Sequence, residues 1–335
     1  MEGERLRERL REGEAQLLVE RFALSANNIT YAIKGEEFGY WRLFPAAPGW
    51  GVIPAWGYAR VIRSRSPALL EGVRVFGLVP MGTHFTVRPG AHPLGFVEAA
   101  SHRAEFARAY NQYLTVAGEG DETGLVLRPL FVTSLLLDLL LSEEEPDRAQ
   151  TAILTSASSK TAYGLAHLLR ERTVQTIGLT SAGRLAWVES LELYDAVLAY
   201  HDLHDLRRQR GTVLVDFAGD RAIVRKVHEQ LGETLTRSLL VGFTHAQAES
   251  DQAPLPGPTP EFFFAPDEIA RRGRELEQRY AAAWERFAPI ARRTMHIKRV
   301  TDGDQLVLLY QSLLEGRADP AAGYVVSLDP ARRKS

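Results

Sequence analysis

The sequence predicts an α/β protein: a doubly wound parallel sheet in the second half of the chain, joined to a β-rich first part. Three observations lead there. Between Ala152 and Phe243 short apolar runs alternate with amphipathic segments, the rhythm of strand–helix–strand units with right-handed crossovers. From Gln16 to Phe96 the chain is instead dense in β-formers, Gly, Pro and aromatic residues, with few helical periods. The run Thr151–Ala166 reads as a short buried strand, a tight turn of small hydroxyl residues, and then a helix. In a doubly wound sheet that layout presents backbone N–H groups to the pyrophosphate of a dinucleotide.

Taken in order, Met1–Ala15 is dense in Arg and Glu, the reverse of a signal-peptide core, and is read as a solvated helix. Runs such as Ala59–Arg63 and Val73–Pro80 are strands between turns. Arg103–Tyr113 is helical, and Arg128–Ser142 is a buried helix entered after Pro129 and ended by the acidic break Glu143–Asp147. Strands follow at Ala152–Ser156, Val174–Thr180, Ala196–Tyr200, Thr212–Phe217 and Thr234–Phe243. Helices lie between them at Thr161–Glu171, Ala182–Ser190 and Arg221–Leu231. Beyond the Pro-rich loop Ala253–Pro260 and the triplet Phe262–Phe264, Asp267–Phe287 is a long amphipathic helix. A strand near His296–Val300, a helix from Asp302 to Glu315 and a strand Tyr324–Leu328 close the chain.

Bulk properties narrow the classes. The 335 residues suit two domains, and 45% hydrophobic with 24% charged residues is ordinary for a globular protein. The formal net charge of −2 gives no electrostatic case for nucleic acid or an acidic membrane. With 0 Cys there is no disulfide framework, thiolate zinc site or cysteine nucleophile. The apolar stretch Leu125–Leu141 is broken by Arg128, Pro129 and Asp138, so a soluble, cytoplasmic protein without a membrane partner is expected.

The turn after the first α/β strand lacks the usual glycines. Ser156, Ser158, Ser159 and Thr161 offer hydroxyls beside their backbone amides, and Lys160 adds a point charge. The same residues also make an ordinary N-capped helix, and capping is compatible with phosphate binding. An NAD-selective site places Asp or Glu after the second strand to take the ribose hydroxyls. Here Thr180, Ser181 and Arg184 stand there instead, and a hydroxyl pair with a guanidinium suits a 2′-phosphate. NADP(H) is therefore expected over NAD(H). The alternative for Arg184 is an exposed helix arginine. The backbone at Asp216 and at Gly242, closing the next two strands, is expected to border the nicotinamide ribose, with Phe243 and Thr244 beside Gly242.

The order of parts resembles the medium-chain dehydrogenase/reductase superfamily. The resemblance is carried by Ile53–Ile62, by Glu71–Gly77 (similar to its "G-D-R-V" turn and strand), by Ala152–Ala166 (similar to its quinone-oxidoreductase branch) and by Gly323–Leu328. More narrowly, Asn27–Ala32, Arg128–Ser134 and Ser156–Ala162 resemble a bacterial and fungal family within it that carries a domain-of-unknown-function label. The resemblance implies a GroES-like β-rich substrate domain over residues 1–127 and a Rossmann dinucleotide-binding domain over 128–289. A C-terminal return, 290–335, completes the first domain. It also implies a homodimer paired through the cofactor-domain sheets, with Thr234–Phe243 at the seam. Zinc-dependent members carry a Cys and a Gly-His-Glu segment. His84, His92 and His102 do not sit in that setting, so no metal is expected.

Hydride transfer without zinc needs a dry pocket, a hydrogen bond to the carbonyl and a proton donor. Tyr31, flanked by Asn27 and Asn28, is the first candidate, with Tyr40, Trp41 and Trp56 as apolar walls. The alternative is structural: aromatics in a β-rich domain are more often core, and Asn often occupies turns. Arg128 is either an anchor for an acidic substrate or a structural ion pair. Phe262–Phe264 is either a lid or an interface. The function expected is a zinc-independent, NADPH-dependent oxidoreductase acting on a small carbonyl, activated alkene or quinone. The alternatives are a non-catalytic NADPH-binding sensor or partner protein, and a lyase reusing the same cleft.

Overall fold

The structure, a computed structural model, describes residues 10–143, 149–242 and 254–328. In chain order its strands and helices are β1 (Ala15–Leu24), α1 (Ala26–Ile33), β2 (Pro54–Ser64), β3 (Arg74–Pro80), β4 (His84–Val87), β5 (Pro89–His92), β6 (Gly95–Glu98), α2 (Arg108–Asn111) and β7 (Gln112–Thr115). The long helix α3 (Glu122–Glu143) leads to β8 (Thr151–Leu154), α4 (Lys160–Glu171), β9 (Gln175–Thr180), α5 (Leu185–Ser190) and β10 (Ala196–Ala199). Then come β11 (Thr212–Asp216), α6 (Arg221–Leu231), β12 (Leu235–Leu240) and β13 (Glu261–Phe262). The chain closes with α7 (Ala265–Arg272), α8 (Arg274–Thr294), β14 (His296–Val300), α9 (Gly303–Leu314) and β15 (Ala322–Val326).

Two compact units result. The first runs through Pro129 and resumes at Met295; the second is Leu130–Thr294. In the first unit the sheet order is β14-β15-β1-β2-β3-β7-β6-β5, with β4 also paired to β1. β1 lies inside the sheet, and a bulge after Val19 keeps Leu17, Val19 and Phe22, each at most 1% exposed, on the one face that packs into the core. Its core is strongly aromatic, with the Phe96 and Tyr113 rings stacked 4.6 Å apart.

The second unit holds a sheet of order β10-β9-β8-β11-β12-β13, parallel at every pairing. The order reverses between β8 and β11, which is the switch point where such sheets take ligands at their carboxyl ends. The local sequence explains the elements. β8 is buried throughout, as a central parallel strand is. Ser159 caps α4 by accepting from the Ala162 amide, and Asp220 caps α6 by accepting from Ala222 and Ile223. Gly164 lets α4 approach α3: a Cβ there would lie 2.7 Å from the Ser134 hydroxyl.

Several expectations change in detail. The long apolar helix begins at Glu122 and passes through Pro129, which it carries internally. The C-terminal amphipathic stretch is two helices, α7 and α8, because Gly273 adopts φ +47 between them. Residues 103–113 are a 3-10 turn, the short α2 and then β7, because the chain wraps around a buried guanidinium. Arg103, 2% exposed, donates to the Leu43 carbonyl (3.0 Å), the Tyr110 carbonyl (2.5 Å) and Asn111 Oδ1 (2.9 Å). A continuous helix would consume the Tyr110 carbonyl and move Asn111 away. Finally, β12 is not a sheet edge. Phe263 is buried, and this draws Glu261 and Phe262 alongside Leu239 and Leu240 as β13. Residues 1–9 and 144–147 lie outside the described residues, but the remainder of the expected N-terminal solvated helix is instead a turn with Leu10 and Glu14 buried, leading into β1 at Ala15.

A buried histidine in α6 makes stability depend on pH. His228 Nδ1 faces the Pro256 carbonyl at 2.9 Å and so must donate; Nε2, 2.9 Å from the Ser238 hydroxyl, then accepts. Burial holds its pKa below the ordinary histidine value. The folded protein therefore binds this proton less readily than the unfolded chain. Its contribution is complete above the unfolded pKa, near 6.5, and declines as pH falls from there toward the lower folded value. The expected result is a urea midpoint that drops between pH 7.5 and pH 5.5. The drop should be smaller in His228→Asn, as followed by circular dichroism.

Candidate functional site

The carboxyl edge of the second unit's sheet gathers most of the residues proposed for nucleotide binding. Thr155 ends the β8 run, and Ser156 turns the chain at φ +47, a conformation usually left to glycine. Two tyrosines from the neighbouring strand region fix that turn. The Ser156 amide donates to the Tyr200 hydroxyl (2.9 Å), and the Tyr194 hydroxyl donates to the Ala157 carbonyl (2.9 Å). Gly178 on β9 makes room, since a Cβ there would lie 2.9 Å from that of Ala157. Ser158 is buried, while Ser159, Lys160 and Thr161 are half-buried around the first turn of α4.

Arg184 comes to the same place from the end of β9. It is half-buried, and its Nη1 donates to the Ser158 hydroxyl at 3.2 Å. Thr180 is buried and gives its carbonyl to the Tyr200 amide (2.9 Å); Ser181 is exposed beside it. The Tyr200 hydroxyl thus lies across the top of β9, where burial pushes its pKa up to about 12 and Arg184 opposes the rise. The structure unites Ser156, Ser158 and Arg184 on one side of the switch point, and here the α4 turn meets a cation.

Asp216 closes β11 and Gly242 follows β12 at the same edge of the sheet. The Asp216 carboxylate turns inward and is fully buried, accepting from the Thr155 hydroxyl and the Ala218 and Gly219 amides. Burial raises its pKa, and these donors work against the rise. Gly242 is the point of closest approach between two loops: a Cβ there would fall 2.1 Å from the Phe217 carbonyl oxygen. Phe243 and Thr244 lie outside the described residues.

In the first unit, Tyr31 is 5% exposed within the aromatic core, its ring 4.6 Å from that of Tyr40. Its hydroxyl accepts from Asn27 Nδ2 at 2.9 Å, with Trp56 and Tyr110 beside it. Burial nonetheless raises its pKa well above that of a free phenol. Asn28 is spent on local structure, accepting from the Ser25 amide (2.8 Å) and donating to the Pro54 carbonyl (2.9 Å). Tyr40 is core rather than wall, with Tyr110 edge-on at 6.0 Å. Trp56 is half-buried and stacked on Phe76 at 5.6 Å. Trp41 is 38% exposed, its indole lying over Gly35 and Gly51. Arg128 is exposed on α3, its guanidinium and the Asp121 carboxylate both lying over Gly124. Among the described residues no group of three His, Asp or Glu side chains is placed to hold a metal ion.

A family model matches residues 22–319, spanning both units. The chain belongs to the family described as protein of unknown function DUF2855. No curated protein matches it by sequence. Its fold, a GroES-like β-rich part with a Rossmann part, is shared with solved oxidoreductase structures. CurA from Vibrio vulnificus, solved in complex with NADPH, superposes with a TM-score of 0.65 at 13% identity, over 95% of this chain and 90% of that one. The yhdH oxidoreductase from Salmonella enterica, in complex with NADP, gives 0.56 at 14% identity, over 97% and 95%. The quinone oxidoreductase from Coxiella burnetii gives 0.55 at 13%, over 95% and 91%. At such identities the likeness is one of fold.

Sequence reasoning misses Thr155, Tyr194, Tyr200 and Tyr110 in this DUF2855 chain. For Thr155 a signal exists: it closes the apolar run of β8 as Asp216 closes that of β11, a lone polar residue at the same end of adjacent strands. The tyrosines carry none, since their neighbours come from distant segments.

Proposed function

We propose that this chain is an NADPH-dependent oxidoreductase that reduces a small carbonyl, activated alkene or quinone without zinc. The observation that carries the reading is the Arg184 guanidinium, 3.2 Å from the Ser158 hydroxyl at the first turn of α4, with no carboxylate after β9. A guanidinium over a helix N-terminus, among Thr180, Ser181 and the Tyr200 hydroxyl, is chemistry for a phosphorylated ribose. The NADPH and NADP with which CurA and yhdH were solved support the same choice.

Ser156, Ser158, Ser159, Lys160 and Thr161 hold the pyrophosphate side, and Arg184 takes the 2′-phosphate. The dihydronicotinamide, when bound, supplies the hydride. In the first unit Tyr31 is the proton donor, its hydroxyl oriented by Asn27, and Trp41 and Trp56 shape an apolar substrate wall. Asn28, with both ends of its amide committed, has no part in the chemistry. The domains proposed are 1–127 with 290–335 for substrate and 128–289 for cofactor.

A second reading, a nucleotide binder without turnover, draws on one observation: Tyr31 is buried among aromatic rings and not open to solvent. Titration with NADPH and NADH, read by energy transfer from tryptophan to nicotinamide, separates the cases. NADPH is expected to bind more tightly than NADH and to be consumed with an enone or a quinone. Binding without consumption supports the second reading. Failure to bind either nucleotide overturns both.

A further inference from the structure

We propose that Thr155 and Asp216 are positioning residues: together they set the geometry of three loops at the switch point and thereby the affinity for nucleotide. The inference rests on the nucleotide reading above. The sheet order reverses between β8 and β11, and Thr155 and Asp216 follow or close those two strands, on either side of the reversal. The Thr155 hydroxyl donates to Asp216 Oδ1 at 2.5 Å and accepts from the amides of Phe217 (2.9 Å) and Ala218 (3.2 Å). Asp216 Oδ1 also takes the Ala218 amide (3.2 Å), and Oδ2 takes that of Gly219 (2.9 Å). The Asp216 carbonyl takes Val241 (2.8 Å) and Gly242 (3.1 Å). Backbone from the loops after β8, β11 and β12 is thus tied to one pair of residues.

Both side chains are 0% exposed. The hydrogen-bond partners of the buried carboxylate are a hydroxyl and backbone amides rather than a cation, an arrangement that costs stability relative to an apolar pair of the same shape. Such a cost is characteristic of places where a loop must be held in one conformation. This chain needs such a device. Its turn carries Ser156, Ser158 and Thr161 in place of glycines, so the backbone is not shaped by conformational freedom. Phe217 and Gly242 meet so closely that a small shift of either loop is transmitted to the other.

The test compares Thr155→Val, which keeps the shape and removes the hydroxyl, with Thr155→Ser, which keeps the hydroxyl, and adds Asp216→Asn. Two quantities are read well below the unfolding temperature. One is hydrogen exchange at the amides of Phe217, Ala218 and Gly219 without nucleotide; the other is the Kd for NADPH and for NADH. Thr155→Val is expected to accelerate exchange and to raise both Kd values about tenfold, roughly the worth of one lost buried hydrogen bond. Thr155→Ser should stay within about twofold of the parent protein, because the same bond survives, and Asp216→Asn should follow Thr155→Val. Faster exchange or a lower unfolding temperature with unchanged Kd values would reduce the pair to a purely structural role and overturn the proposal. So would Val and Ser variants that behave alike. If the parent protein binds neither nucleotide, the nucleotide reading fails and takes the affinity claim with it. The exchange comparison still decides whether the loops are tied.

Discussion

Replacing Arg184 with Ala is expected to weaken NADPH binding by roughly thirtyfold while leaving NADH within about twofold, since a charged hydrogen bond is worth about 2 kcal/mol. The prediction follows from where the guanidinium is held. It is half-buried and anchored on the Ser158 hydroxyl, so its charge is less screened than that of a free surface arginine. Arg184→Lys should fall between the two proteins, because an ammonium replaces the planar fork with a point charge. Fluorescence titrations at a fixed, low ionic strength measure all three. Equal weakening of NADPH and NADH would mean that Arg184 supports the turn rather than the 2′-phosphate.

The largest loss of stability is expected at Arg103. Arg103→Met keeps the length of the side chain and removes every donor. The Leu43 and Tyr110 carbonyls and Asn111 Oδ1 then lose their buried partner, and the guanidinium no longer lies over the Phe44 ring. Stranding several buried acceptors costs about 3 kcal/mol or more. A shift in urea midpoint at unchanged slope is the measurement. A variant as stable as the parent protein would show that those acceptors find other partners. Arg103→Lys should recover little, since one ammonium cannot span three acceptors set around a planar group.

The two predictions mark the limits of what is legible in the sequence. Arg184 can be picked out because its signal is local: it follows a strand end where an acid would select NAD, and the acid is missing. The alternation of strands and helices from β8 to β12 is equally plain, because each period is written within a few residues. Arg103 reads as part of a helix because its partners, Leu43 among them, sit up to 60 residues away. Asp216 hides the part its side chain plays for the same reason. Its position at a strand end is visible in the sequence, but the direction of its carboxylate depends on Thr155, 61 residues earlier. Tyr31 and Asn27 stand 4 residues apart on a helix, close enough in sequence to be grouped, and their hydrogen bond forms. Their burial, which comes from Tyr40, Trp56 and Tyr110, lies beyond any local pattern.

The discontinuous make-up of the first unit bears on how the chain matures. β15 lies between β14 and β1, and the Ser327 hydroxyl donates to the Glu20 carbonyl at 2.7 Å. During synthesis β1 emerges early and β4 covers its Ala15–Leu18 end, but Phe22–Leu24 wait for residues 324–326 before that flank is paired, whereas the segment 130–294 is complete sooner. The second unit is therefore the earlier to mature, and the Phe22–Leu24 end of a nascent β1 is exposed to strand exchange and aggregation until translation is nearly over. A stop codon before Ala322 would leave the Phe22–Leu24 end of β1 bare on that side, so even short C-terminal truncations should lower the yield of soluble protein.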